Sequence, residues 1–387
     1  MSMKKIIFVT NIPTYHKIPL YNELADLLRK SGTVFKVFFL ISGEKRRKWH
    51  IDLSDAKFEY VMVNEPKINL TYEWTFIFPI KLMYYLFREY PNFIITTGYS
   101  MASIVVMIFS MIFGSRYSVY SGEIFSRDTA KSWFRKCIRK IIVQFVDSVI
   151  AYGTKAQNYV RALSTQKEPY IAYNTSDMRF YTQQSSILRR TRTNISHEFG
   201  LSAANINLIF IGRLVKRKAV DLLIESVVKL NSRKKDFLLH IIGDGTEKSY
   251  LQSLVAKLLL KGNVIFWGHK NKDELAKHLA IGDIFVFPSL YDIWGLVLNE
   301  AMAAGLPVIA SKYAGATYDL VQDGVNGFVV DPHNTDEMAE KIRVLLDNPG
   351  LRKKMGENAK QTILDRFTVE KTAEGFLEAI EHGLRSE

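Results

Sequence analysis

Apolar residues along the chain gather into short continuous runs, each followed by a longer segment with apolar positions at helical spacing. A short apolar run bounded by turn residues reads as a strand buried on both faces, and the longer segments read as helices. In the first half this predicts strands at Lys4–Thr10, Val34–Ile41, Phe93–Thr96, Tyr117–Tyr120, Ser148–Ala151 and Tyr170–Tyr173, with helices at Ile18–Ser31 and from about Ala102 to Phe113. The second half predicts strand Asn207–Ile211, helix Ala219–Leu230, strand Phe237–Ile242, helix Glu247–Leu260, strand Val264–Trp267 and helix Lys272–Ile281. Strand Ile284–Phe287 follows, then helix Leu296–Ala304, which Gly305 and Pro307 end, and a strand opening at Val308. This alternation predicts an α/β protein with two parallel sheets in series. At 387 residues the chain is also too long for one ordinary core. The stretch from Ser176 to Asn205 is rich in Ser, Thr, Gln and Asn, carries Arg189, Arg190 and Arg192, and reads as the junction. The expected domains are 1–185 and 205–368, with 369–387 a closing helix that packs back on the first.

Charge changes the picture of partners. The formal net charge is +13, and residues 1–195 hold 28 lysines and arginines against 14 acids, so the whole excess belongs to the first half. That points to an anionic membrane surface or a phosphorylated acceptor; nucleic acid is not expected, because no recognised binding motif appears. The single cysteine, Cys137, excludes an intrachain disulfide and a Cys-rich metal site. Lys4 and Lys5 precede only Ile6–Val9 before polar residues return, too short for a signal-peptide core, so a cytoplasmic location is expected.

Two segments raise a membrane question. No charged residue occurs between Glu89 and Arg116, a span of 26, but Pro91, Asn92, Gly98 and Ser100 interrupt it. It reads as a buried strand, a turn and an inner-sheet helix that is apolar all round. In the second, Phe134, Ile138, Ile141, Ile142 and Phe145 form an apolar stripe flanked by Lys131, Arg135, Lys136, Arg139 and Lys140. A core-facing stripe explains the apolar positions. The density of bases, with Lys45-Arg46-Arg47-Lys48 in the same half, predicts peripheral docking on the inner face of an anionic membrane.

The chemistry concentrates in residues 284–311, IFVFPSLYDIWGLVLNEAMAAGLPVIAS. Asp292 lies in the loop after a strand and Glu300 within the helix that follows, eight positions on. Ligands of open parallel sheets bind at the carboxyl ends of the strands, and helix-start amides near Gly295 and Leu296 suit an anion there. Two carboxylates beside an anion site suit the hydroxyls of a sugar or ribose. Earlier, Gly212-Arg213-Leu214-Val215-Lys216-Arg217-Lys218 links a strand to a helix. Gly212 permits close backbone approach, Arg213 offers a planar fork for a diphosphate, and Lys218 a compact charge. Gly243-Asp244-Gly245 marks a tight turn after the next strand.

The run from Asp292 through Trp294, Gly295, Leu296, Glu300, Ala301, Met302, Gly305 and Pro307 resembles the signature of the family 4 retaining glycosyltransferases. It departs from the usual form at Asp292, which replaces a Glu, shortening the reach by one methylene and keeping the charge. Gly212, Arg213, Leu214 and Lys218 resemble that family's diphosphate clamp; Lys216 and Arg217 are left without a role. Gly243, Asp244 and Gly245 resemble its crevice loop, and Gly268-His269-Lys270 falls where it places the nucleobase. The resemblance implies a GT-B fold, two Rossmann-like parallel-sheet domains facing a central crevice. It implies retaining transfer from a nucleoside-diphosphate sugar, UDP- or GDP-linked, to a saccharide or lipid-linked acceptor in envelope polysaccharide or glycolipid synthesis. No cofactor and no metal is required on this scheme. Arg213 and Lys218 stabilise the leaving diphosphate, Trp294, Gly295 and Leu296 line the donor site, Glu300 holds the ribose and Asp292 the donor sugar. In the first half, His16 and Lys17 lie in the loop after the first strand, and Glu123 follows the Tyr117–Tyr120 strand where many members carry a histidine. Contact with acceptor or donor phosphate is expected of His16 and Lys17, and Glu123 is expected beside the reacting sugar. Two other readings use the same residues: a membrane-docked nucleotide-sugar sensor without turnover, and a different GT-B enzyme such as a nucleotide-sugar epimerase.

Overall fold

The computed structural model describes residues 3–43, 52–69, 75–125, 133–164, 166–230 and 237–385. The chain divides into two compact units, Met1–Asp177 with Val369–Glu387, and Met178–Thr368. Each is α/β around a parallel, Rossmann-like sheet. Among the described residues the first sheet runs Glu59–Met62, Val34–Phe39, Lys5–Thr10, Phe93–Thr97, Arg116–Ser121, Ser148–Ala151, Tyr170–Ile171 from edge to edge. The second runs Val264–Gly268, Phe237–Ile242, Ile206–Ile211, Ile284–Phe287, Val308–Ser311, Gly327–Val330. In both, the strand order reverses once, beside the unit's first strand, which is the doubly wound arrangement. The central strands are buried on both faces, which is why they read as continuous apolar runs.

Right-handed crossovers put the helices before and after that reversal on opposite faces of the sheet. In the first unit, helix Ile18–Lys30 lies on one face and packs on the terminal helix Val369–Arg385. Phe376 of that terminal helix meets the rings of Phe8 at 5.8 Å and Tyr120 at 4.6 Å. Two glycines let it approach: a Cβ at Gly375 meets the Ile171 carbonyl oxygen at 2.2 Å, and one at Gly383 meets the Phe93 ring at 2.5 Å. Helices Ile80–Glu89, Met101–Phe113 and Trp133–Phe145 cover the other face side by side.

Three expectations change. The stretch read as a junction is helical over Met178–Leu188 and Arg192–Glu198, and both helices belong to the second unit. Met178, Tyr181 and Ile195 are buried there, and two of the three arginines of that stretch, Arg189 and Arg192, have fixed partners. Arg192 makes a two-pronged pair with Asp283 at 2.9 and 2.6 Å, while Arg189 donates to the carbonyls of Ala304 and Gly282, which end two helices. Arg189 also lines a cavity of about 350 Å³ at the amino ends of the second sheet, with Arg352, which caps the carbonyls of Leu345 and Leu346. Arg189 and Arg352 there close helix ends. Second, Met101–Phe113 buries only Ala102, Ser103, Val106 and Phe109, so it is not apolar-buried all round. Third, of the stripe expected to face the core, Ile142 is buried but Phe134, Ile141 and Phe145 are exposed. The basic run Lys45–Lys48 and Lys131 lie outside the described residues.

The second unit also buries a polar chain that sequence alone does not disclose. Trp267 Nε1 donates to His240 Nδ1 at 2.9 Å, and His240 Nε2 faces Asn207 Oδ1 at 2.9 Å. The indole N–H fixes the tautomer: Nδ1 accepts, so Nε2 carries the proton. His278 stacks on Phe199 beside this pair. Burial pulls His240 down to about 4 and His278 to about 3. Both stay neutral in the fold, whereas the unfolded chain takes up protons below pH 6.5. The contribution of these two groups is therefore intact above 6.5 and is lost as pH falls toward 4. Going from pH 7 to pH 5 should cost the second unit about 2 kcal/mol per histidine. Amide exchange in strands Ile206–Ile211 and Phe237–Ile242 should accelerate accordingly, after correction for intrinsic rates. Unchanged protection at pH 5 contradicts the assignment.

Candidate functional site

In the second unit the strand order reverses between Ile206–Ile211 and Ile284–Phe287, and the loops leaving their carboxyl ends carry the predicted motifs. A neighbouring loop supports the first of them. The Gly212 amide donates to Ile242 at 3.0 Å, Leu214 to Asp244 at 2.9 Å, and Glu247 to Leu214 at 2.9 Å. Gly243 in turn donates to Gly268 at 2.8 Å. Contact this close tolerates no side chain: a Cβ at Gly243, whose φ is +141°, falls 1.9 Å from the Gly212 oxygen, and one at Gly245 falls 2.3 Å from the Leu214 oxygen. The Gly-Asp-Gly turn is thus a clasp on the clamp loop. The Asp244 carboxylate accepts from the Gly245 amide at 2.9 Å and stands 3.9 Å from Lys248.

The clamp loop ends in a single helical turn, Lys216–Lys218, and Ala219 at φ +50° starts helix Val220–Val228. That geometry drives Lys218 inward. Its ammonium hydrogen-bonds Asp292 and lies 4.9 Å from the Phe287 ring centre. Arg217, given no role from sequence, holds the same partner from outside: 3.7 Å to Asp292 and a 2.9 Å bond to the Tyr291 carbonyl. Its own carbonyl accepts from the Leu290 amide at 2.8 Å and from Ser289 Oγ at 3.3 Å. The two loops are therefore tied by backbone as well as by charge. Burial lowers the Lys218 ammonium, and Asp292 opposes that fall. Burial alone raises Asp292, but Lys218, and then Arg217, outweigh it and keep the carboxyl below its ordinary value. Arg213 is half-buried in the same loop.

Gly295, at φ +103°, turns the chain into helix Leu296–Ala303, and a Cβ there meets the Phe287 ring at 2.6 Å. The Trp294 side chain, 2% exposed, donates its indole N–H to Asn299 at 2.9 Å and so anchors the turn from beneath. Asp292 and Trp294 also bond through their carbonyls to the amides of Gly315 and Ala316, at 2.9 and 3.1 Å. Glu300 is buried on that helix. Within this unit the structure thus brings Lys218 onto Asp292, while Trp294 supports the loop.

The first unit places its own predicted residues at the carboxyl ends of its strands. His16 lies in the short turn Tyr15–Lys17, edge-on to Tyr15 at 5.5 Å. Lys17 points inward to Asn174 Oδ1, with the rings of Tyr120 and Tyr152 at 5.4 and 5.8 Å, and burial pulls its ammonium down to about 7. Glu123 pairs with Arg139 at 3.3 Å. Burial raises the Glu123 carboxyl, against the pull of Arg139 and Arg135. Arg139 itself donates to Tyr159 at 2.7 Å and stands over the Tyr99 ring. Sequence reasoning counted Arg139 only as a basic flank and passed over Asn174. Nothing local marks either one, because their partners are distant in the chain.

The fold is that of the GT-B class. Anabaena HepE, crystallised in complex with UDP, superposes with a TM-score of 0.76 at 20% identity, covering 97% of this chain and 99% of that one. Residues 191–362 match the family described as glycosyl transferases group 1, a span that includes the clamp loop, the glycine clasp and both acids. That match lies wholly within the second unit. The alpha-D-kanosaminyltransferase of Streptomyces kanamyceticus is 30% identical over 255 residues, 64% of this chain and 63% of that protein. The N-acetyl-alpha-D-glucosaminyl L-malate synthase of Bacillus anthracis is 29% identical over 238 residues, 58% of this chain and 60% of that protein. The chain spans about three fifths of the length of these curated relatives.

Removing one member of a buried ion pair strands the other charge. Asp292→Leu, which strands the buried Lys218 ammonium, should cost the second unit about 3–5 kcal/mol, whereas Asp292→Leu with Lys218→Met should recover most of that loss. Denaturant unfolding of the single and double variants checks this. A double-variant loss equal to the sum of the two single losses would show that the two side chains act independently.

Proposed function

We propose that the protein is a retaining glycosyltransferase that moves a sugar from a nucleoside-diphosphate sugar to a saccharide or lipid-linked acceptor of the cell envelope. The observation that carries this reading is the buried Lys218–Asp292 pair at the strand reversal of the second sheet, one loop with Arg213. A protein rarely buries a lysine without a use for its charge, and strand reversals are where parallel sheets bind ligands. The matched family, the names of the two relatives and the UDP held by HepE all favour a sugar nucleotide.

In the reaction, the bond from the anomeric carbon to the diphosphate breaks as the acceptor oxygen bonds that carbon on the same face. The diphosphate leaves with the electron pair, and its leaving oxygen takes the proton that the acceptor hydroxyl gives up. Arg213 and Lys218 stabilise that growing negative charge, with the amides at Gly295 and Leu296. Asp292 opposes the fall that burial imposes on the Lys218 ammonium, and orients the donor sugar. Glu300 holds the ribose hydroxyls. Fixed cations do this work, and no metal is called for. In the first unit, His16 and Glu123 attend the acceptor and the reacting sugar. The basic first half favours an acceptor held at an anionic membrane.

The reading is tested by thermal unfolding with UDP, GDP, ADP and CMP. A ligand at about 100 times its dissociation constant adds about 2.7 kcal/mol. One nucleoside diphosphate should raise the midpoint of the wild type and not of Arg213→Ala. No shift with any of the four overturns the donor site. For the nucleotide that binds, an NMR assay of its sugar donor should show the anomeric configuration kept in the product; binding without turnover would leave a sensor.

A further inference from the structure

The outer face of the first unit carries exposed apolar residues on three neighbouring helices. On helix Ile80–Glu89, Leu82 and Leu86 are buried while Ile80, Tyr84 and Phe87 point outward, at positions i, i+4 and i+7. On Met101–Phe113, Ala102, Val106 and Phe109 face the sheet while Ile108, Met111 and Ile112 face away. On Trp133–Phe145, Phe134, Cys137, Ile141 and Phe145 repeat the pattern. Phe87 is 60% exposed, Ile112 64% and Phe134 62%. The three helices are neighbours in one layer: Phe113 meets the rings of Phe87 at 5.7 Å and Tyr90 at 6.2 Å, and Trp133–Phe145 packs against Met101–Phe113. Each helix thus has a second apolar face, opposite the one that builds the core. Contiguous apolar surface on this scale marks an interaction site.

Charge on the same helices decides what covers it. Lys81, Arg88, Arg135, Lys136 and Lys140 are exposed among these apolar residues. The opposing acid of the layer, Glu89, is engaged by Lys36 at 3.0 Å and Lys5 at 3.4 Å. A second copy of this chain would bring the same bases against themselves. An anionic lipid surface satisfies both features, with headgroups meeting the bases and acyl chains receiving the aromatic and aliphatic side chains. No helix among the described residues is long and apolar enough to cross a membrane, so this is insertion at the interface.

We infer that the Ile80–Glu89, Met101–Phe113 and Trp133–Phe145 layer is a lipid-inserting face, on which the protein is held by apolar burial as well as by charge. This deepens the proposed envelope role but does not require turnover. It also differs from docking by basic residues alone, which salt abolishes.

The single cysteine supplies the probe. Cys137 lies on the outward face of its helix, so an environment-sensitive fluorophore attached there reports immersion directly. The labelled full chain is titrated with phosphatidylglycerol–phosphatidylcholine vesicles and with phosphatidylcholine alone, at low and high salt. The expected result is a blue shift on the anionic vesicles that survives, weakened, in high salt. Ile112→Asp and Phe87→Asp should each weaken partition roughly tenfold or more. Both should leave the nucleotide-induced thermal shift unchanged, which separates this inference from the transferase reading. Three results overturn it: no shift on any vesicle, binding that salt abolishes and Ile112→Asp does not touch, or self-association that Ile112→Asp dissolves without any vesicle binding.

Discussion

A lysine that loses water must find a negative charge, and in the second unit that requirement organises the loops around it. Lys218 meets Asp292 across two loops that leave adjacent strands. Holding the pair together demands that neither loop drift, and the surrounding bonds run from backbone to backbone. Arg217 grips the Tyr291 carbonyl, Leu290 bonds back to Arg217, and Asp292 accepts from Gly315. The glycine clasp beneath the clamp loop serves the same end, since Gly243 and Gly245 allow contacts that any larger residue forbids. The result is a buried lysine held at the strand ends, with Asp292 opposing the fall that burial imposes on its ammonium.

The first unit shows the opposite economy on its outer layer. Its helices bury one apolar stripe against the sheet and leave a second in the open. Ordinary domain helices are polar outside, and this layer departs from that rule. The other face of the same sheet obeys the usual rule, with helix Ile18–Lys30 covered by the terminal helix.

Much of this was legible in the chain. The alternation of apolar runs and amphipathic segments located most strands within a residue or two, because parallel strands buried on both faces leave an unbroken signature. Asp292, Glu300, Arg213 and Lys218 stood out through their strand–loop–helix context. What stayed hidden has a common cause: it depends on partners far away in sequence. Arg189 and Arg192 fell in the stretch read as a junction, and their partners, Asp283 and two helix ends, lie about 90 or more positions away. His240 looked like a strand residue, and only folding brings Trp267 and Asn207 to it. The direction of the Met101–Phe113 and Trp133–Phe145 stripes was ambiguous for a different reason. Periodicity tells that a face is apolar, not whether core or surroundings will take it up.

The seat of the terminal helix has a consequence for how the molecule comes into being. Residues Val369–Arg385 cover Phe8, Tyr120 and Phe93, yet they follow those residues by hundreds of positions, with the whole second unit between. During synthesis the second unit is complete while the first still lacks its last layer. The sheet made earliest is thus finished latest, and its uncovered face waits through the translation of about half the chain. A ribosome stalled in the second unit would release not one intact half of the molecule but a first unit with its aromatic core open to water.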